Sequence, residues 1–155
     1  MGHDIIQLLR NLSPDVAELN RDVLAGAVEQ PSSSTPATIG SERELQQAVV
    51  EWCQVVASVH NRPEYGYIMA IPNGQYRRGQ RPEPGLRPGV PDLFLSVARR
   101  GHHGLWLELK FGRNTTTAQQ DWWLATLREQ GYCCAVVRSL EEAQEVIDWY
   151  LRGTR

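Results

Sequence analysis

The chain reads as an α/β sandwich, with helices packed on a mixed central sheet. Three features predict it. Apolar residues at helical spacing alternate with short runs rich in β-branched and aromatic residues. The main helical stretches open on a Ser or Thr cap. After a Pro/Ser/Thr-rich linker the elements follow in the order α-β-β-β-α-β-α, which suits a sheet with helices on its faces.

Residues 4 to 26 read as two short helices. Asp4 caps "IIQLLRNL"; Ser13, Pro14 and Asp15 supply the cap, first position and first-turn acid of the second. They make a helical extension over residues 1–28. The stretch 29–40, "EQPSSSTPATIG", has no periodicity and reads as a linker to a domain over 41–155. Ser41 and Glu44 form an S-x-x-E capping box, and Leu45, Val49, Trp52 and Val56 form an apolar stripe, predicting a helix over about 42–58. "EYGYIMAIP" is a short strand candidate. Asn73 to Gly89 is a long Gly- and Pro-rich loop with four arginines, and loops of that length are usually functional or disordered. "PDLFLSV" reads as a strand starting at or just after Pro91, where proline is tolerated. "LWLELKF" is its antiparallel partner, with Leu105, Leu107 and Leu109 on one face and Trp106, Glu108 and Lys110 on the other. Thr117 caps the helix "AQQDWWLATLREQ", which Gly131 stops. "YCCAVVRS" reads as a strand buried on both faces, and Ser139 with Glu142 opens the last helix.

Composition narrows the function. The chain has 155 residues and a net charge of −2, enough for one domain with a core. No apolar stretch approaches the ~20 residues of a membrane span, and the N-terminus lacks the pattern of a signal peptide. The three cysteines, Cys53, Cys133 and Cys134, have no C-x-x-C spacing. Adjacent strand residues point to opposite faces, so Cys133 and Cys134 do not grip one zinc ion. A reducing cytoplasm and no membrane partner are expected. Between Asn73 and Arg113 lie eight basic residues against three acids, in a chain that is acidic elsewhere. Such a segment is either a polyanion-facing surface or a solvated loop.

Lys110 is the only lysine among the 16 basic side chains. Glu108 lies two residues before it, hence on the same strand face, and Asp92 opens the neighbouring strand. Two carboxylates with the backbone carbonyl of Leu109 are hard oxygen ligands suited to Mg²⁺ or Mn²⁺. A compact ammonium beside them can hold a water or neutralise charge building on phosphorus, which a planar guanidinium does less well. Taken singly, Glu108 and Lys110 also fit an exposed strand pair, and Asp92 a turn residue. A carboxylate-pair hydrolase of sugars is a rival chemistry, but it needs one raised carboxyl pKa, where the nearby Lys110 would tend to depress both, and it gives the arginine loop no purpose. His102 and His103 read as solvated turn residues, and of Trp122 and Trp123 one is expected in the core and the other at an interface or stacking position.

The P-D…E-x-K pattern resembles the PD-(D/E)xK nuclease superfamily. With "ERELQ", "AIPNG", "RPGVPDLFL", "GLWLELK", "TTAQQDWWLATLREQGY" and "EEAQEVIDWYL" in this order, the chain from about Ser41 to Leu151 resembles the VRR-NUC (virus-type replication-repair nuclease) family. The resemblance implies a restriction-endonuclease-like core and a metal-dependent DNA endonuclease. Asp92, Glu108 and the Leu109 carbonyl would hold Mg²⁺ or Mn²⁺, and Lys110 would be catalytic. Glu44 would be the helix carboxylate completing the site, with Glu42 and Glu51 as alternatives. Gln120 would be the helix glutamine of the family's Q motif. Asn73 would precede the basic loop, and Arg77, Arg78, Arg81, Arg87 and Arg113 would grip phosphates. The resemblance further implies structure-selective action on DNA, branched forms included, in phage-type replication, recombination or repair. It implies a homodimer in a bacterial or phage-infected cytoplasm. A non-catalytic DNA-binding or assembly module on the same fold is the alternative.

Overall fold

The computed structural model describes residues 39–72 and 84–154. The expected N-terminal helices and most of the linker lie outside these residues, as do Asn73, Arg77, Arg78 and Arg81.

Helix α1, Glu42–Val59, begins where Ser41 Oγ accepts the Glu44 N–H. Its apolar stripe buries Leu45, Val49 and Cys53. The expected strand around "EYGYIMAIP" is mostly something else: a 3-10 turn over Pro63–Tyr67 leaves only β1, Ile68–Ala70. Pro63 supplies the preset φ of a helical first turn, and Tyr65 is buried there with its hydroxyl donating to Asp148 Oδ1 at 2.6 Å. Strands β2, Leu93–Leu95, and β3, Leu105–Leu109, follow. Helix α2 spans Ala118–Glu129, β4 Cys133–Val137 and α3 Leu140–Arg152. Gly131, at φ +83°, makes the left-handed turn that ends the α2 segment.

The sheet order is β1-β2-β3-β4. β1, β2 and β3 run antiparallel in sequence, and β4 returns parallel to β3 after α2, so the sheet is mixed as expected. Its two faces bury different sets. Leu93, Leu95, Leu105, Leu107, Leu109, Cys133, Ala135 and Val137 join α1 and α3 in the main core. Trp106, Cys134 and Val136 pack on the other face against Leu124 and Leu127 of α2. Cys133 and Cys134 thus point apart, and all three cysteines are free and buried. Among the described residues no helix is long and apolar enough to cross a membrane.

Candidate active site

The register pairs Leu93 with Leu107 and Phe94 with Trp106. One step further along, it sets Asp92 opposite Glu108. Both lie on the α2 side of the sheet, because their neighbours Leu93, Leu107 and Leu109 face the main core. The two acids that the sequence placed on neighbouring strands are therefore cross-strand neighbours on one face.

Glu108 is fully buried and Lys110 is 5 % exposed. Lys110 Nζ lies 2.8 Å from Glu108 Oε1. The same oxygen accepts a short hydrogen bond from Gln120 Nε2. Gln120 in turn sits at the third position of α2, where its Oε1 accepts the Thr117 N–H at 2.9 Å while Thr117 Oγ1 accepts the Gln120 N–H at 3.3 Å. This capping box consumes the amide oxygen and leaves the amide nitrogen to point at Glu108. Asp92 Oδ2 accepts the Leu109 N–H at 2.8 Å, tying the head of β2 to the E-x-K segment.

The loop leading into Asp92 is held on α2. Trp123 Nε1 donates to the Pro88 carbonyl at 3.1 Å. Gly89, at φ +83°, rests on Gln119, whose Cγ would lie 2.8 Å from any added Cβ. Trp123 is the half-buried member of the tryptophan pair; Trp122 packs on it edge-on and remains 59 % exposed. Arg87 and Arg113 are exposed on either side of the Asp92–Lys110 segment in sequence.

The first-helix acid at this site is Glu42. Its Oε1 accepts from Asn114 Nδ2 at 3.0 Å and from the Phe111 N–H at 3.4 Å, just past Lys110. Glu44 is not brought here. Residues two apart on a helix are about 200° apart around its axis. Glu44 is exposed, and its Oε2 accepts the Gly40 N–H at 2.6 Å. Glu51 is exposed and accepts from Gln47. No local rule separated the two first-turn acids: Glu44 bonds back to the Gly40 N–H, and the rotation of α1 on the sheet brings Glu42 here. Asn114 and Arg138, which brace this corner, had no local signal either. The two turn histidines are engaged in the hairpin and at Gly131: His102 pairs with Arg99 across the turn, and the His103 N–H donates to the Gly131 carbonyl.

Burial pushes the Glu108 carboxyl up to about 7, helped by Asp92 and opposed by Lys110, with Glu42 adding a smaller push. Glu108 Oε2 is buried and has no hydrogen-bond partner among the described residues. Among the described residues no three His, Cys, Asp or Glu side chains cluster tightly enough to enclose a metal. Two carboxylates, one with an unpartnered buried oxygen, nevertheless fit Mg²⁺ or Mn²⁺, which take one or two carboxylates and keep several waters. Chemically, the corner offers oxygen ligands for a hard cation and an ammonium beside them.

Neither a protein-family model nor a curated protein matches the chain. Among solved structures the chain is similar to a VRR_NUC domain protein, with 30 % identity and a TM-score of 0.59. The match covers 72 % of this chain and 88 % of that one.

Proposed function

The chain belongs to the VRR-NUC family and has its restriction-endonuclease-like fold, a nuclease-type lineage; from that premise we propose that it hydrolyses DNA phosphodiester bonds with Mg²⁺ or Mn²⁺. The observation that carries the reading is the buried Glu108, with one oxygen held by Lys110 and Gln120 and the other unpartnered among the described residues, beside Asp92. A solvated structural pair would not leave a buried carboxylate oxygen open, since that costs ~1–3 kcal/mol or more.

Asp92, Glu108 and the Leu109 carbonyl would hold the cation. When bound, it would acidify a water and offset charge on the phosphodiester. Gln120 fixes the Glu108 carboxylate by one oxygen. Lys110 supplies a localised positive charge at the same oxygen, placed to hold the attacking water or to stabilise charge building on phosphorus. Arg87 and Arg113, with Asn73, Arg77, Arg78 and Arg81 of the preceding loop, are proposed to bind the DNA backbone. The family supports extending the proposal to structure-selective endonuclease action, on branched DNA among others, by a homodimer in phage-type replication, recombination or repair.

The test is cleavage of linear, nicked, flapped and branched DNA with Mg²⁺ and with Mn²⁺, wild type beside Lys110→Ala. Lys110→Ala is expected to lose at least 10²-fold in rate while binding DNA in Ca²⁺ about as well as wild type. Tight, salt-sensitive DNA binding with no metal-dependent cleavage by wild type would overturn the catalytic reading.

A further inference from the structure

Glu42 is held by a bracket that reaches across the fold. The turn after Lys110 closes where the Asn114 N–H donates to the Phe111 carbonyl at 3.2 Å, with Gly112 at φ +59°. On one side of this turn, Asn114 Nδ2 and the Phe111 N–H grip Glu42 Oε1. On the other, Arg138 Nη1 donates to the Asn114 carbonyl at 2.7 Å and the Gly112 carbonyl at 3.4 Å. Arg138 is anchored in turn, its own N–H donating to Glu142 Oε2 at 2.6 Å at the start of α3. The Lys110 N–H donates to the Val137 carbonyl at 2.9 Å, so the bracket and the lysine share one strand end.

This is more apparatus than a surface turn needs. Asn114 and Arg138 are both exposed, where isolated polar contacts contribute little. What they fix is one oxygen of a carboxylate whose charge acts on Glu108. Glu42 does not join Asp92 and Glu108 in a tight three-acid cluster. It therefore suits a water-mediated role, because Mg²⁺ and Mn²⁺ of this kind keep waters that need acceptors, and such outer partners orient the ligands within.

Resting on the metal-dependent reading, we propose that Asn114 and Arg138 are positioning residues that lock Glu42 as an outer acceptor for water around the cation held by Asp92 and Glu108. Asn114 sets the carboxylate; Arg138 sets the turn that carries Asn114.

The test is Mn²⁺ binding by the full chain, followed by calorimetry without DNA, with thermal melts to verify folding. Asn114→Ala and Arg138→Ala are expected to weaken Mn²⁺ binding about tenfold, and Arg138→Lys, which keeps one donor, to recover most of it. In a Glu42→Gln background Asn114→Ala is expected to change affinity less than about twofold, since its partner charge is gone. Wild-type affinity in Asn114→Ala, or an undiminished loss in the Glu42→Gln background, would overturn the proposal, and the Asn114–Glu42 cycle decides it even if Arg138→Ala misfolds. A wild type that binds no Mn²⁺ sinks this proposal together with metal dependence. One that binds Mn²⁺ yet cuts no DNA sinks the nuclease reading alone, and the cycle still decides the bracket.

Discussion

Glu108 is the residue on which the site turns. It is buried without exposure, faces Asp92 across the strands, and keeps one oxygen without a partner among the described residues. Its carboxyl is pushed to about 7 in the metal-free fold, against an ordinary value of 4.5 in an unfolded chain. Between those values the folded state binds the proton and the unfolded state does not. Metal-free stability therefore falls as pH rises from about 4.5 to about 7, and the cost is complete above that, of the order of 3 kcal/mol. Urea melts of metal-free protein at pH 5 and pH 8 are expected to show this, and Glu108→Gln is expected to flatten the difference. If Glu108 holds the cation as proposed, Mg²⁺ is expected to stabilise wild type more at pH 8 than at pH 5, because it would compete with the proton. This chemistry was partly legible from sequence: the period-2 strand puts Glu108 and Lys110 on one face without further information. The unpartnered oxygen was not, because it depends on what packs opposite.

At the scale of the element, three helix starts use the same rule in two ways. In α1 and α3 the capping serine accepts as expected, but the glutamates reach one residue further back, to Gly40 and Arg138. Only α2 closes a full box, and there the residue is glutamine. A glutamate at that position would cap equally well yet bring a further negative charge to Glu108 and remove its donor. Gln120→Glu is thus expected to leave thermal stability within about 1 kcal/mol of wild type at acidic pH. It should cut metal-dependent activity by at least tenfold and shift its acidic limb to higher pH. A pH–rate profile checks both. Helix starts were readable because caps are local, and α2 and α3 begin where Thr117 and Ser139 indicated. β1 was readable only in part, since Pro63 and the buried Tyr65 turned its first half into a 3-10 turn.

Across the whole molecule the sheet separates two tasks. One face carries the main core with α1 and α3; the other carries the acids, the lysine and α2. The loop that enters Asp92 is stapled to α2 through Pro88 and Trp123, and exposed Arg87 precedes that staple. Arg113 follows on the turn beyond Lys110. If both grip phosphates, Arg87→Ala and Arg113→Ala should each reduce the slope of log affinity against log salt by about 1. Their affinities should fall by similar factors on unrelated sequences. Fluorescence anisotropy over a salt series in Ca²⁺ measures this. An unchanged slope for both would place the DNA path elsewhere.

The sequence alone determined the order of helices and strands, the hairpin that joins P-D to E-x-K and the helix caps, and it set Glu108 and Lys110 on one strand face with Asp92 on the neighbouring strand. These follow from periodicity and from hydrogen bonds that span a few residues, whereas Gln120 was singled out only by the resemblance to the family. Only the tertiary structure decided which first-helix acid reaches the strand end, and that Asn114 and Arg138 brace it. Glu42 and Asn114 are 72 residues apart in the chain. No local rule covers that distance; packing α1 against the sheet sets the helix's rotation, and with it the choice between two glutamates about 200° apart.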